Sequence, residues 1–436
     1  IEHEPLRLRD VEGVGPKLAS RLQEAWRGQR RVRDTLVFLA EQGFSPARAS
    51  RVLEAYGPDA AATIRGDPYA LARDIRGIGF ATADQVALKL GVAPDSVQRI
   101  GAAMAEVLRE AADEGHTAMP LAEARTRLGE LLAAPAATVT TAIERELHAG
   151  RLAEMTEGEQ RLLLLAELDR AEGSIAARLA TLGAGAPPWP APEPQGALVR
   201  SEQALGMTLA ASQRQAIELA LRSKLLVITG GPGTGKTTLV RGILAALAAD
   251  GLHVLLAAPT GRAARRLGES TGREARTLHR LLEADPERGF RRHGGRPLEA
   301  DLVIVDEASM IDTQLLAALL EALPPTCALL LVGDVDQLPS IGPGQVLADL
   351  IASAAVAVVR LTEIFRQSAE SGIVRNAHRI NRGELPTFAR AEDGPGDCYG
   401  IRVTGAEDAE AKLLDLVLHR IPERFGFDPV DRKSVV

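Results

Sequence analysis

The sequence predicts an α/β domain built on a parallel sheet around a phosphate-binding loop, preceded by a mostly α-helical region. Three apolar runs predict the sheet: LLVIT from Leu225, DLVIV from Asp301 and CALLLV from Cys327. Runs this continuous suit parallel strands covered on both faces, and each is followed by a turn rich in glycine or acid, where such sheets gather ligands. The helical region is predicted by Ala, Leu, Glu and Arg at helical spacing over residues 100–182 and by a repeated helix-start pattern nearer the N-terminus.

In chain order, VEGVGPKLASRLQEA (residues 11–25) and IRGIGFATADQVALKLG (residues 75–91) share h-x-G-h-G followed by an amphipathic helix. Gly13 and Gly15, and likewise Gly77 and Gly79, make tight turns whose N–H groups face outward at a helix start. Such a turn can hold a nucleic-acid phosphate without reading a base. This is a tandem helix-hairpin-helix region, placed at residues 1–99. Residues 100–182 follow as helices leading into a β-hairpin that turns at Glu157–Gly158, within a strand reading of residues 151–172. Three helices and a hairpin suggest a winged-helix-like module, and the same helices equally suit simple packing between the two ends of the chain. GAGAPPWPAPEPQG, residues 183–196, is read as non-helical because of its prolines and glycines, and the linker is placed at residues 183–200.

The first apolar strand runs into G-x-x-x-x-G-K-T, residues 230–237. Its glycines let the backbone turn N–H groups toward one point at a helix N-terminus, whose partial positive charge favours phosphate. Gly231, Pro232, Gly233, Thr234, Gly235, Lys236, Thr237 and Thr238 therefore form the nucleotide cradle. Lys236 reaches the β- and γ-phosphates and Thr237 offers a hydroxyl to Mg²⁺. The second strand ends in Asp306 and Glu307. Asp306 can hold Mg²⁺ through water, and Glu307 can orient and deprotonate an attacking water. Helix capping would explain one acid at a strand end but not the pair. The third strand leads to Gln337, an amide able to sense a γ-phosphate, and to a loop stiffened by Pro339 and Gly342–Pro343–Gly344 where a nucleic-acid strand could lie.

These segments, in this order, resemble a superfamily 1 helicase motor of the RecD-like, 5′→3′ branch. SQRQA around Gln213 resembles its adenine-reading Q motif, with Gln213 carrying the base contact. APTGRAA around Thr260 and Arg262 resembles motif Ia, and TLHRLL around His279 motif Ib. DEAS, GDVDQLPS and LTEIFRQS resemble motifs II, III and IV. The resemblance implies that Arg366 stabilises γ-phosphate charge in the transition state, and that Thr260, Arg262 and His279 touch DNA. For Thr260 and Arg262, helix capping fits as well as a DNA contact. It also implies RecA-like architecture, with the ATPase domain at residues 201–368. Residues 369–436 would open a second RecA-like domain that is incomplete here, since no later motif follows. Residues 283–300 form an insertion in the motor, drawn as a hairpin turning at His293–Gly294–Gly295. By the resemblance this is a pin at the strand junction, with Phe290 as a stacking face; a basic loop is the alternative.

The implied activity is ATP-dependent unwinding of DNA from a 5′ single-stranded tail at a single-strand/duplex junction, in DNA repair or recombination, with ATP and Mg²⁺ as cofactors. An ATP- and DNA-binding fragment without turnover is the alternative. A monomer is expected. The repeated glycine turns and the segment joining them resemble the stand-alone type of this family more than the subunit of a large recombination nuclease.

Composition bounds the rest. A chain of 436 residues has room for two or three domains, and a net charge of −7 argues against a generally DNA-coating protein. Arginine clusters at residues 27–33, 262–276 and 288–296 leave local sites for phosphate. Two distant cysteines, Cys327 and Cys398, predict neither a disulfide framework nor a zinc site. No signal peptide or membrane-length apolar run is present, so a cytoplasmic protein without membrane partners is expected. The chain begins with Ile1, so its start is expected to be non-native.

Overall fold

The computed structural model describes residues 15–190, 193–247, 251–285, 289–363, 371–388 and 397–426. Gly13 and Arg366 lie outside them.

The N-terminal half is helical. Helices α1 (Pro16–Glu41), α2 (Pro46–Tyr56), α3 (Ala60–Gly66), α4 (Ala70–Asp74), α5 (Phe80–Lys89) and α6 (Val97–Asp113) precede a small mixed unit. Helix α6 shows why these segments fold. Ser96 caps it by accepting from the Arg99 N–H, and Ile100, Ala103, Met104, Val107, Leu108 and Ala111 fall on one buried stripe. Truncating Met104 to Ala there would cost roughly 2–5 kcal/mol. The mixed unit comprises β1 (Ala118–Pro120), α7 (Leu121–Leu131), α8 (Ala136–His148), β2 (Leu152–Glu157) and β3 (Gln160–Leu165). Its antiparallel sheet has the order β1-β3-β2, with Glu157 opposite Gln160 across a turn at Gly158. The expected hairpin is present, but it ends at Leu165. Residues beyond it form α9 (Ala166–Gly183), because the apolar spacing changes from alternate to helical. One apolar cluster runs from Phe38 on α1 to Leu168 on α9, so residues on both sides of the expected boundary at residue 99 share one core.

Helix α9 reaches the C-terminal half directly. Leu179 and Leu182 enter its core, and the Arg178 guanidinium donates to the carbonyls of Leu320 and Leu323. The Pro/Gly-rich segment beyond α9 differs from the expected free linker. Trp189 is buried and its indole N–H donates to Leu221 O at 3.0 Å. Helix α10 (Pro194–Leu205) starts inside the segment read as non-helical. Proline suits the first helical turn, where its missing N–H is not needed, and the Glu193 carboxylate accepts from the N–H groups of Gln195 and Gly196.

The C-terminal half is built on a six-stranded, wholly parallel sheet. Its strands are β4 (Leu225–Gly230), β5 (Val254–Ala258), β6 (Ala275–Thr277), β9 (Leu302–Val305), β10 (Ala328–Gly333) and β11 (Ala357–Leu361), in the order β11-β4-β10-β9-β5-β6. Between them run α11 (Ala211–Arg222), α12 (Lys236–Ala246), α13 (Gly261–Thr271), α14 (Leu278–Leu281), α15 (Thr313–Ala322) and α16 (Val346–Ala352). Alternate residues of the central strands enter different cores: Val227, Val303 and Leu329 on one face, Ile228, Ile304 and Leu330 on the other. Each such side chain contributes roughly 1.5–3 kcal/mol of burial. Parallel register then brings the strand ends together: Leu331 lies beside Val305 and Val227, and Leu361 beside Gly230. Helices α17 (Gly372–Asn381) and α18 (Ala406–Asp415) follow, the latter running through a π turn into α19 (Ile421–Phe425).

The insertion departs from its expected form. The short strands β7 (Ala284–Asp285) and β8 (Gly289–Phe290) pair around residues 286–288, which lie outside the described residues. His293–Gly294–Gly295 makes only a smaller turn, bridged His293 to Arg296. Phe290 is half-buried against the sheet core and leans on the His279 ring, so it is not a free stacking face. An unpaired phenyl ring gains more from that apolar contact than from water.

Candidate active site

The site grows from the β4–α12 junction. Gly233 and Gly235 take left-handed φ of 78° and 76°, which wraps the loop and starts α12 at Lys236. Thr234 is buried inside the loop and its hydroxyl donates to Gly231 O at 2.9 Å. A side chain at Gly230 would strike Thr234 and Leu361, and one at Gly231 would strike His378, so the loop's close packing needs glycine at both positions. The Lys236 ammonium donates to the carbonyls of Gly230 and Gly231 and lies 3.6 Å from Asp334 Oδ2. Pro232 sits at the outer turn of the loop, and Thr237 and Thr238 occupy the first turn of α12.

The two acids of β9 arrive beside Lys236 and Thr237. Asp306 is buried, and its carboxylate accepts from the Glu307 N–H at 2.9 Å and the Thr237 hydroxyl at 3.4 Å. Burial pushes its carboxyl above the usual range, against the opposing pull of that N–H, of Lys236 and of Arg266. Glu307 takes a left-handed backbone, φ 55° and ψ 41°, which costs a non-glycine residue about 1 kcal/mol or more. Its Oε2 is sealed from solvent with no hydrogen-bond partner among the described residues. Burial, then the Asp306 charge, raises its pKa. Thr237 and Asp306 thus present a hydroxyl and a carboxylate side by side, the hard oxygen donors that Mg²⁺ takes together with water.

Gln213 and Gln337 are both committed within the protein. The Gln213 side chain accepts from the Ala210 N–H and donates to Thr234 O at 3.3 Å, tying α11 to the phosphate loop. The Gln337 amide donates to Asp334 at 3.3 Å. Thr260 caps α13 by accepting from the Ala263 N–H at 3.2 Å, while Arg262 is exposed in the first turn of that helix. His279 is exposed on α14, remote in sequence from the loop but following β6 at the same end of the sheet.

Three contributors escaped the sequence reading. Asp334 is buried at the end of β10, where it touches both Lys236 and Gln337. An acid directly after an apolar run, as in the second strand, was the available signal. Glu363 accepts from the Ser212 N–H and is bonded to the Ser212 hydroxyl, joining α11 to the end of β11. His378 lies on the phosphate loop, and nothing in the spacing of α17 foretold it.

The N-terminal turns form a second candidate site. Gly15 and Gly79 stand at the N-caps of α1 and α5 in extended backbone, without a side chain occupying the first-turn N–H groups. Ile75 and Ile78 are buried while Gly77 and Gly79 face solvent, so the turn between α4 and α5 projects its backbone outward. Arg51 reaches this turn from α2 and donates to Arg76 O at 3.0 Å, placing a guanidinium beside it. A further turn, Gln42–Gly43–Phe44 between α1 and α2, also has a left-handed glycine, φ 92°.

Fold and site together define a P-loop nucleotide-binding domain carrying a helical N-terminal region. Residues 208–395 match the AAA domain family, and residues 28–118 match the ATP-dependent RecD2 DNA helicase HHH domain. The chain is 35% identical over 406 residues to the ATP-dependent RecD2 DNA helicase of Deinococcus radiodurans, covering 89% of this chain and 55% of that protein. It is 43% identical over 210 residues to the RecBCD enzyme subunit RecD of Mycolicibacterium smegmatis, covering 42% of this chain and 38% of the relative. It is 32% identical over 181 residues to the ATP-dependent DNA helicase dda of Enterobacteria phage T4, covering 39% and 40%. Over both domains, and in this order, the chain is similar in sequence to RecD-like helicases. It spans about half the length of the first of these relatives and less of the others. The helix-hairpin-helix match takes in Gly77 and Gly79 and begins after Gly15.

Proposed function

We propose that this chain is the ATP-hydrolysing part of a DNA helicase that loads on a 5′ single-stranded tail at a single-strand/duplex junction and moves 5′→3′. The observation that carries the reading is the acid pair of buried Asp306 and half-buried Glu307, which feels the Lys236 charge and meets Thr237, with Glu307 Oε2 left without a partner among the described residues. A buried carboxylate oxygen without a partner is costly unless a ligand completes it.

In this reading the triphosphate lies along the Gly231–Thr238 backbone. Lys236 exchanges its loop carbonyls for phosphate oxygens, and Thr237 and Asp306 would hold Mg²⁺. Bound there, Mg²⁺ neutralises phosphate charge. Glu307 takes a proton from the water that attacks the γ-phosphorus in line, Arg366 stabilises the γ-phosphate charge in the transition state, and ADP leaves with its new charge met by Lys236. The raised pKa of Glu307 brings it nearer to neutrality, where a general base works best. Gln337 and Asp334 relay the state of Lys236 to the Gly342–Gly344 loop. That loop touches the N-terminal half through Gly344 N–H to Gly115 O, 3.0 Å. DNA would pass Arg262, His279 and this loop, where Leu338 and Ile341 stand exposed, while the Gly15 and Gly77–Gly79 turns hold duplex phosphates. Thr260 acts there through its helix cap, and Gln213 through its grip on the phosphate loop beside the adenine side.

Among the described residues no helix is long and apolar enough to cross a membrane. A monomeric cytoplasmic protein acting in DNA repair agrees with the DNA chemistry proposed. The test is ATP hydrolysis and strand separation on duplexes carrying a 5′ or a 3′ tail. Unwinding of the 5′-tailed duplex alone is expected. Preference for the 3′ tail would overturn the direction. DNA binding without hydrolysis would mark a binding unit that does not turn over alone.

A further inference from the structure

The imidazole of His378 lies over the phosphate loop, in contact with a residue the ATP reading already uses. A side-chain carbon built on Gly231 would meet its Cε1 at 2.7 Å, with Nδ1 and Nε2 at 3.5 and 3.6 Å. The ring edge therefore faces the Gly231 backbone. Gly231 is also the residue whose carbonyl accepts from Lys236 at 3.2 Å, so ring and ammonium share one glycine. His378 Nε2 is sealed from solvent and has no hydrogen-bond partner among the described residues. A buried ring nitrogen without a partner is costly, and nothing in the fold of α17 requires it.

The helix that carries it is held firmly. Ser371 caps α17 by accepting from the Val374 N–H. Asn376, two residues before the histidine, is buried and bonds Thr387 in both directions: its amide donates to Thr387 O and its Oδ1 accepts from the Thr387 N–H. The ring is thus presented to the loop by a fixed element rather than a loose side chain.

Lysine in this loop type reaches the β- and γ-phosphates. A ring packed against the glycine that this ammonium also meets is on the lysine's side of the cradle, where a terminal phosphate would lie. We propose that His378 is a nucleotide-contacting residue whose Nε2–H donates a hydrogen bond to the terminal phosphate of a bound nucleoside triphosphate. Neutral imidazole protonated at Nε2 supplies that donor. A diphosphate offers nothing at this position, so α17 distinguishes the two nucleotides and reports the difference to the segment it begins. The inference rests on the nucleotide-binding reading of the loop and deepens it.

The test is equilibrium binding of ATPγS and of ADP, each with Mg²⁺, to the full chain and to His378→Ala and His378→Gln. The alanine variant should lose ~10-fold in ATPγS affinity and less than ~2-fold in ADP affinity, as expected for one hydrogen bond to a charged group. Glutamine, which keeps an N–H donor at similar reach, should recover most of the loss. Equal losses for both nucleotides would reduce His378 to packing, and unchanged ATPγS binding in the alanine variant would remove it from the site. A loss that glutamine does not recover would also overturn the hydrogen bond. Should the unaltered chain bind neither nucleotide, the failure would be that of the nucleotide reading itself.

Discussion

The two halves of the molecule bury carboxylates in opposite ways. In the N-terminal half Asp84, on α5, is saturated: the Arg99 guanidinium grips it with two donors at 2.8 Å each, and the Tyr69 hydroxyl donates at 2.7 Å. Burial alone would raise its pKa, but these donors and the Arg99 charge hold it below the usual carboxylate range. In the C-terminal half Asp306 is buried and Glu307 half-buried beside it, and both are raised. Glu307 keeps an oxygen without a partner among the described residues and a strained backbone. A buried charge fully met by its own chain fastens elements together. One left short is kept for something that arrives. The N-terminal half should therefore carry its function on its surface, and the C-terminal half in its interior.

The largest effect should come from Glu307→Gln, which we expect to lower ATP hydrolysis on the order of 10³-fold, the scale of a lost general base. The same variant should be no less stable in urea, because it removes a half-buried carboxylate one of whose oxygens has no partner among the described residues. A parallel loss of stability would erase the contrast with Asp84. Asp84→Ala is the converse. It strands the Arg99 guanidinium and should cost about 3 kcal/mol in chemical denaturation of the N-terminal half, leaving DNA-independent hydrolysis within roughly twofold.

The pH dependence sharpens the same contrast. The contribution of Asp84 is complete above the ordinary value of 3.8 and is lost as pH falls through its lowered pKa. That of Glu307 has the opposite sign: complete below the ordinary 4.5, lost as pH rises through its raised pKa. Urea titrations across acid to neutral pH should show Asp84→Ala flattening the acid limb and Glu307→Gln flattening the limb above it. The same limb flattened by both variants would contradict the assignment.

Smaller effects should follow at the surface turn and at the Arg99 fork. Gly79 has an ordinary φ of −87°, and the nearest atom to an added side-chain carbon is 3.8 Å away, so the fold tolerates substitution there. Gly79→Glu should weaken DNA binding ~10-fold, alike for all sequences, as measured by fluorescence anisotropy. A strongly sequence-dependent loss would speak against phosphate contacts. Arg99→Lys, which keeps the charge but loses the fork, should cost about 1 kcal/mol.

The P-loop domain was legible in sequence for a physical reason. Strands buried on both faces write continuous apolar runs, and a phosphate loop between strand and helix admits few residues, so Lys236, Thr237, Asp306 and Glu307 could be placed from spacing alone. Asp334 and His378 were hidden because their roles come from parallel register and from a helix folding back more than a hundred residues after the loop, neither of which leaves a local pattern. The Pro-rich segment misled for a related reason: proline at a first helical turn reads like a break. Phe290 misled because a ring flanked by arginines in an insertion looks exposed until the His279 contact and the sheet core are seen. Thr260 shows the opposite case, where two readings of one motif were open and the geometry displays the helix cap.

The most direct test of the central claim is ATP hydrolysis by this chain with and without single-stranded DNA, measured beside Lys236→Ala. The account predicts hydrolysis that DNA stimulates and that the variant abolishes while still binding single strand. Hydrolysis that persists in Lys236→Ala would contradict it, because the acid pair would then be facing the wrong partner.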